Sequence, residues 1–201
     1  MLRVGLTGSI AVGKSFVLGV LAELGCRVLD ADKTARDVVE RGTPGLQAVI
    51  DAFGRTILNE DGTLDRAKLA SVVFADEQKR LQLNSLLHPF IIETQDEQMR
   101  QWERESPERI AIVDAALMIE SGGHCRFDKL IVVHCRPEVQ LERLMSRDGL
   151  SRAEAERRIA AQMPQDDKKK YADFLIDTSD GFDSARTQTE EVFAALQALN
   201  G

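Results

Sequence analysis

Apolar residues gather along this chain in five short runs, separated by longer amphipathic stretches. Leu2–Leu6, Arg27–Leu29, Ile110–Val113, Lys129–His134 and Phe174–Ile176 each read as a strand, short and bounded by polar residues. After the first run, Phe16, Val17, Leu18, Val20, Leu21 and Leu24 recur at helical spacing, and Gly25 stands where a helix stops. Strands alternating with helices predict a parallel sheet with helices on both faces. In such sheets ligands bind at the carboxyl ends of the strands. Polar residues follow each run at that end: Thr7 and Gly8, Asp30 and Asp32, Asp114, His134 and Arg136, and Asp177.

Two stretches break the alternation. No convincing strand occurs in 33–107, where helices are predicted over Thr34–Arg41, Pro44–Phe53, Asp65–Phe74 and Glu77–Glu105, the last with Pro89 inside it. A compact domain rarely carries a structureless loop of that length, so a helical subdomain is expected. The second stretch, residues 137–165, holds two helices around the turn Asp148-Gly149, the second opening on the capping-box pattern Ser151…Glu154. It bears Arg143, Arg147, Arg152, Arg157 and Arg158. An arginine-bearing helical hairpin after a strand suits a lid over phosphates. Arg143 and Arg147 are assigned that role, and the other three are expected to form surface ion pairs with Glu142, Glu154 and Glu156.

The loop after the first strand names a chemistry. Gly8-Ser9-Ile10-Ala11-Val12-Gly13-Lys14-Ser15 fills every fixed position of G-x-x-x-x-G-K-[ST], between a predicted strand and a predicted helix. Backbone amides of such a loop wrap a polyphosphate, the lysine reaches its terminal phosphates and the serine hydroxyl helps hold Mg²⁺. The expected ATP contacts are Gly8, Ala11, Val12, Gly13, Lys14, Ser15 and Phe16, with Arg143 and Arg147 from the lid. Phosphoryl transfer to an alcohol also needs a carboxylate to take its proton. Asp32, just past the second strand, is assigned that role, and Asp30 is divided between helix capping and the site. Asp114 and Glu120 are further acidic candidates, the former as an aid to Mg²⁺. Thr7, Asp32 and His88 are the expected acceptor contacts. The expected architecture is therefore an α/β, three-layer parallel-sheet P-loop core (1–32 and 108–201), with a helical acceptor-binding insertion (33–107) and a helical lid (137–165).

Composition adjusts this picture only at its edges. The chain has 201 residues and a formal net charge of −7 from 26 basic and 33 acidic side chains, which argues against a basic nucleic-acid face. Small anionic ligands remain open to it, because a few cations and amides hold a phosphate. Cys26, Cys125 and Cys135 share no metal-ligand spacing, and Cys26 and Cys135 are expected as buried, reduced thiols. No run approaches the roughly 18 apolar residues of a membrane helix. The first strand begins without a charged leader, so a cytoplasmic location is the expectation. The run Lys168-Lys169-Lys170 reads as exposed loop.

At this point the chain resembles the dephospho-CoA kinases. The resemblance rests on Leu6-Thr7-Gly8-Ser9-Ile10 with Gly13-Lys14-Ser15, on Leu29-Asp30-Ala31-Asp32, on Asp61-Gly62-Thr63-Leu64, and on Leu83-Asn84-Ser85-Leu86-Leu87-His88-Pro89. Gln140-Leu141-Glu142-Arg143 and Ala161-Gln162 extend it towards the end of the chain. It implies a nucleoside-monophosphate-kinase-like fold with a CoA-binding helical domain and a lid. It also implies transfer of the ATP γ-phosphoryl group to the 3′-hydroxyl of dephospho-CoA with Mg²⁺, the last step of CoA biosynthesis. The family's candidate base falls on Asp32, and its lid arginine on Arg143. Phe16 stands where the family commonly has a second hydroxyl residue. The competing reading is another small-molecule P-loop kinase, acting on a nucleoside, nucleotide or shikimate-like alcohol. A GTP-dependent switch would show an Asn-Lys-x-Asp segment, which this sequence lacks.

Overall fold

The structure, a computed structural model, describes residues 1–74 and 76–200. Its centre is a five-stranded sheet in the order β2-β3-β1-β4-β5, with β1 Leu2–Gly8, β2 Arg27–Asp30, β3 Ile110–Asp114, β4 Lys129–His134 and β5 Phe174–Asp177. β1 pairs in parallel with both β3 and β4, and β4 pairs in parallel with β5. The central strands are apolar on both faces because helices cover both. Val4, Leu6, Ile112, Ile131 and Val133 of the strands pack with Val17, Leu21, Val192 and Leu196 of the helices α1 (Lys14–Glu23) and α9 (Phe182–Asn200) in one buried cluster. Each leucine or valine buried there contributes about 1.5–3 kcal/mol relative to exposure.

Between β2 and β3 run α2 (Ala31–Asp37), α3 (Pro44–Phe53), α4 (Arg66–Phe74) and α5 (Glu77–Glu105). The chain divides into two compact units, residues 1–29 with 102–201, and residues 30–101. The last turn of α5 belongs to the first unit, where Glu103 pairs with Arg3 at 3.3 Å and Glu105 with Arg27 at 3.6 Å. The second unit has its own buried cluster of Val38, Val39, Val49, Ile57, Leu69 and Val73, flanked by Leu86, Leu87 and Phe90 of α5. That partition explains how a long, mostly polar helix is held: one stripe of it closes this small core.

Local signals placed most boundaries. Thr43 caps α3 and Pro44 opens it, and Gly54 ends it at φ 82°. Ser151 and Glu154 form the reciprocal capping box that opens α7 (Arg152–Ala160), which follows α6 (Pro137–Asp148). One helix begins earlier than its sequence suggests. α2 starts at Ala31 and ends at Asp37, against an expected Thr34–Arg41, because Asp30 is its cap: its carboxylate accepts from the Asp32 and Lys33 amides at 2.8 and 3.0 Å. A larger correction concerns the lysine run. Only Lys170 is exposed and outside a helix; Lys168 and Lys169 lie in a short helix α8 (Gln165–Lys169), and Lys168 is 0% exposed.

Candidate active site

The loop between β1 and α1 is built for close approach. A Cβ on Gly8 would lie 2.5 Å from the Val133 carbonyl oxygen of β4, so only glycine lets the chain leave the sheet here. Gly13 caps α1 in the left-handed region at φ 87°, with the Thr178 hydroxyl 3.2 Å from where a Cβ would be. Ala11 is held at φ 60°, a conformation costing a residue with a side chain roughly 1–2 kcal/mol. Backbone strain of this kind marks functional turns. Among the described residues no side chain caps the start of α1, and its first turn holds no acidic residue. The amides there point outward with the positive end of the helix dipole behind them, which is an anion site. Cys26 and Cys135 are buried thiols, as expected, and burial pushes Cys26 up to about 12.

Lys14 emerges from this turn and forms an ion pair with Asp114 at the end of β3. The register explains the meeting: Leu6 of β1 lies beside Asp114, and the Ala115 amide donates to the Leu6 carbonyl at 3.1 Å. Thr7, completely buried, donates its hydroxyl to the Ala116 carbonyl at 3.2 Å. Lys168 donates to that same carbonyl at 2.8 Å and pairs with Glu120. Asp114 and Glu120 therefore each hold a lysine at the two ends of one short turn.

The helices expected as a lid meet the loop through amides rather than charges. Gln162 accepts from the Ile10 amide at 2.7 Å, and Gln140 donates to the Ile10 carbonyl at 2.8 Å. Gln165 ties this together, donating to Gln140 at 2.8 Å and accepting from the Cys135 amide at 3.0 Å. Arg143 donates to the hydroxyl and the carbonyl of Thr178 at 2.9 and 2.7 Å, while the Thr178 hydroxyl donates to the Val12 carbonyl at 2.6 Å. One threonine thus anchors both the loop and the arginine. Arg147 and Arg158 share Asp148, and Arg152 pairs with Glu156, all at the surface. Arg157 is exposed.

These pieces surround one cavity of about 930 Å³, large enough for a nucleoside triphosphate. Gly8 to Ser15 form its floor, and Ala116, Val139, Arg143, Arg147, Gln162 and Phe182 complete its walls. Phe16 stacks obliquely on Phe182, ring centres 4.7 Å apart, and Phe182 is 67% exposed. Ser15 is exposed in the first turn of α1. Its hydroxyl and the Asp114 carboxylate are the hard oxygen donors that suit Mg²⁺ carried by phosphates.

Asp32 and His88 belong to the second unit. Asp32 is exposed in the first turn of α2, and Asp30, occupied by its two amides, acts there as a cap. His88 is exposed on α5. The sequence assigns no site role to Gln140, Gln162, Thr178, Phe182 or Lys168. All five act on residues far away in the chain, so no local spacing announced them.

The dephospho-CoA kinase family model matches residues 2–183. A dephospho-CoA kinase of Bacillus cereus is 43% identical over 94% of this chain and 94% of its own. One from Carboxydothermus hydrogenoformans is 44% identical over 96% of this chain and 92% of its own. Among solved structures, a dephospho-CoA kinase from Campylobacter jejuni superposes with a TM-score of 0.75 at 28% identity, covering 99% of this chain and 98% of that one.

Proposed function

The chain belongs to the dephospho-CoA kinase family, and from that premise we propose how its residues share the work of moving the ATP γ-phosphoryl group to the 3′-hydroxyl of dephospho-CoA. The product is CoA, and the enzyme is an ATP-dependent kinase of CoA biosynthesis. The observation that carries the site assignment is the Lys14–Asp114 pair beneath an uncapped helix start, facing a triphosphate-sized cavity.

In this reading the amides of the loop from Gly8 to Phe16 cradle the β- and γ-phosphates, and the Lys14 ammonium exchanges part of its bond to Asp114 for phosphate oxygens. The triphosphate supplies stronger acceptors in the same place, so the exchange costs little while Asp114 keeps the ammonium aimed. Ser15, with Asp114 at the end of β3, would hold Mg²⁺, which neutralises charge between the phosphates when bound. Phe16 and Phe182 offer an apolar wall to the base. Arg143 leaves Thr178 to meet the transferring group, with Arg147 beside it. The second unit takes the acceptor through Asp32 and His88. The 3′-oxygen bonds to the γ-phosphorus as the bond to the β,γ-bridging oxygen breaks; Asp32 accepts the hydroxyl proton and ADP leaves. No helix among the described residues is long and apolar enough to cross a membrane, and the enzyme works in the cytoplasm.

Initial rates against dephospho-CoA, nucleosides and shikimate test the acceptor: dephospho-CoA has the largest kcat/KM, and a preference for any other alcohol refutes the reading. The lid assignment has its own test. Arg143→Ala lowers kcat by at least about 100-fold, since it removes charge that faces the transition state. Arg157→Ala, at the surface, stays within about threefold of the parent. Equal effects of the two would remove Arg143 from the site.

A further inference from the structure

Lys168 has no role in the scheme above, yet it is the largest fully buried side chain among the described residues. Lysine is almost never fully buried unless paired. Removing its charge from water costs several kcal/mol, and only good geometry at both ends of the pair recovers that. The geometry is good. Its ammonium lies 2.8 Å from Glu120, and 2.8 Å from the Ala116 carbonyl, which lines the nucleotide cavity and also accepts from Thr7. Glu120 in turn accepts from the Met163 amide at 3.3 Å, one residue after the glutamine that grips Ile10. Hydrophobic residues of the same volume would stabilise such a place at least as well. What the ammonium adds is direction: it fixes the turn from Asp114 to Glu120 through the Ala116 carbonyl and the Glu120 carboxylate.

We infer that Lys168 is a positioning residue for phosphoryl transfer, bracing the turn after β3 so that Thr7 and the Lys14–Asp114 pair keep their places beside the bound nucleotide. The inference rests on the kinase reading of that cavity. It differs from a purely structural role in one respect. A brace on Asp114 and Thr7 acts on the transition state, whereas the loop that binds the ground-state phosphates is held by direct contacts of its own, to Thr178, Gln140 and Gln162.

The full-length enzyme is assayed with MgATP and dephospho-CoA at saturation, and ATP binding is measured separately by calorimetry. Lys168→Met keeps the apolar stem and removes the charge. It is expected to lower kcat about 10- to 100-fold, the scale of a small displacement of reacting groups, while the Kd for ATP moves by less than about threefold. Glu120→Gln, which keeps an acceptor for Lys168, loses less. The double variant loses no more than Lys168→Met alone, because both act through one contact. A kcat within about twofold of the parent overturns the inference, as does a weakened ATP affinity with kcat unchanged, or losses that multiply in the double variant. Should Lys168→Met fail to fold, Glu120→Gln decides alone, and parental kcat in that variant overturns the inference. A parent enzyme without activity on dephospho-CoA would instead refute the kinase reading itself, so the two failures are distinct.

Discussion

Replacing Lys14 by alanine lowers kcat/KM by about 10³-fold or more, a loss of roughly 4 kcal/mol of transition-state stabilisation. Two effects act together. The ammonium that would meet the developing negative charge is gone. Asp114, only 11% exposed and paired with Lys14 in the parent, is also left with its carboxylate facing the triphosphate. Fold and melting behaviour change much less than turnover, because Lys14 lies at the start of α1 and outside the cluster that packs that helix on the sheet. Steady-state kinetics with a thermal melt of the same sample check this. Near-parental turnover would remove Lys14 from the chemistry.

The Asp32→Asn variant separates binding from transfer. The amide keeps the size and hydrogen-bonding outline of the side chain but cannot take a proton at neutral pH. We expect kcat to fall by about 10²- to 10⁴-fold, the range for loss of a general base, with ATP binding unchanged. Asp30, two residues earlier, is expected to behave differently. Its carboxylate already serves the Asp32 and Lys33 amides, so its loss weakens α2 by about 0.5–2 kcal/mol as lost caps do. Calorimetry of ATP binding and single-turnover rates on the same preparations distinguish these effects. Retained transfer in Asp32→Asn would move the search for the base to Glu120 or to Asp30.

Much of the fold was legible because its signals are local. Strands β1, β3 and β4 announce themselves as apolar runs, since each is buried on both faces over most of its length. Thr43-Pro44 and Ser151…Glu154 mark helix starts through their own backbone amides. Asp30-Ala31-Asp32 left the cap open: either aspartate is a competent cap, and only the geometry at the end of β2 selects Asp30 and starts the helix at Ala31. The loop from Gly8 to Ser15 was readable because its chemistry is contiguous. The remainder of the cavity is assembled from distant residues. Gln162 reaches Ile10 across 152 positions and Thr178 reaches Val12 across 166, which no spacing rule captures.

Lys168 is the instructive case between these extremes. Three adjacent lysines look alike as a charge run. Yet Lys169 pairs with Asp166 and Lys170 with Asp167, each one helical turn back, and the residue that distance before Lys168 is Gln165. The lysine without a local carboxylate is the one that turned inward to a distant one. That asymmetry was present in the sequence and gained meaning only once Glu120 was seen to lie beside it.

The central claim is that one phosphoryl group passes from ATP to a single hydroxyl of dephospho-CoA. Phosphorus NMR of a reaction containing purified enzyme, MgATP and dephospho-CoA reads this directly. The account predicts one ADP for each new phosphomonoester, located on the 3′-oxygen of the adenosine ribose, with no accumulation of free phosphate. ADP accompanied by inorganic phosphate and unchanged dephospho-CoA, or a phosphate on any other oxygen, would contradict it.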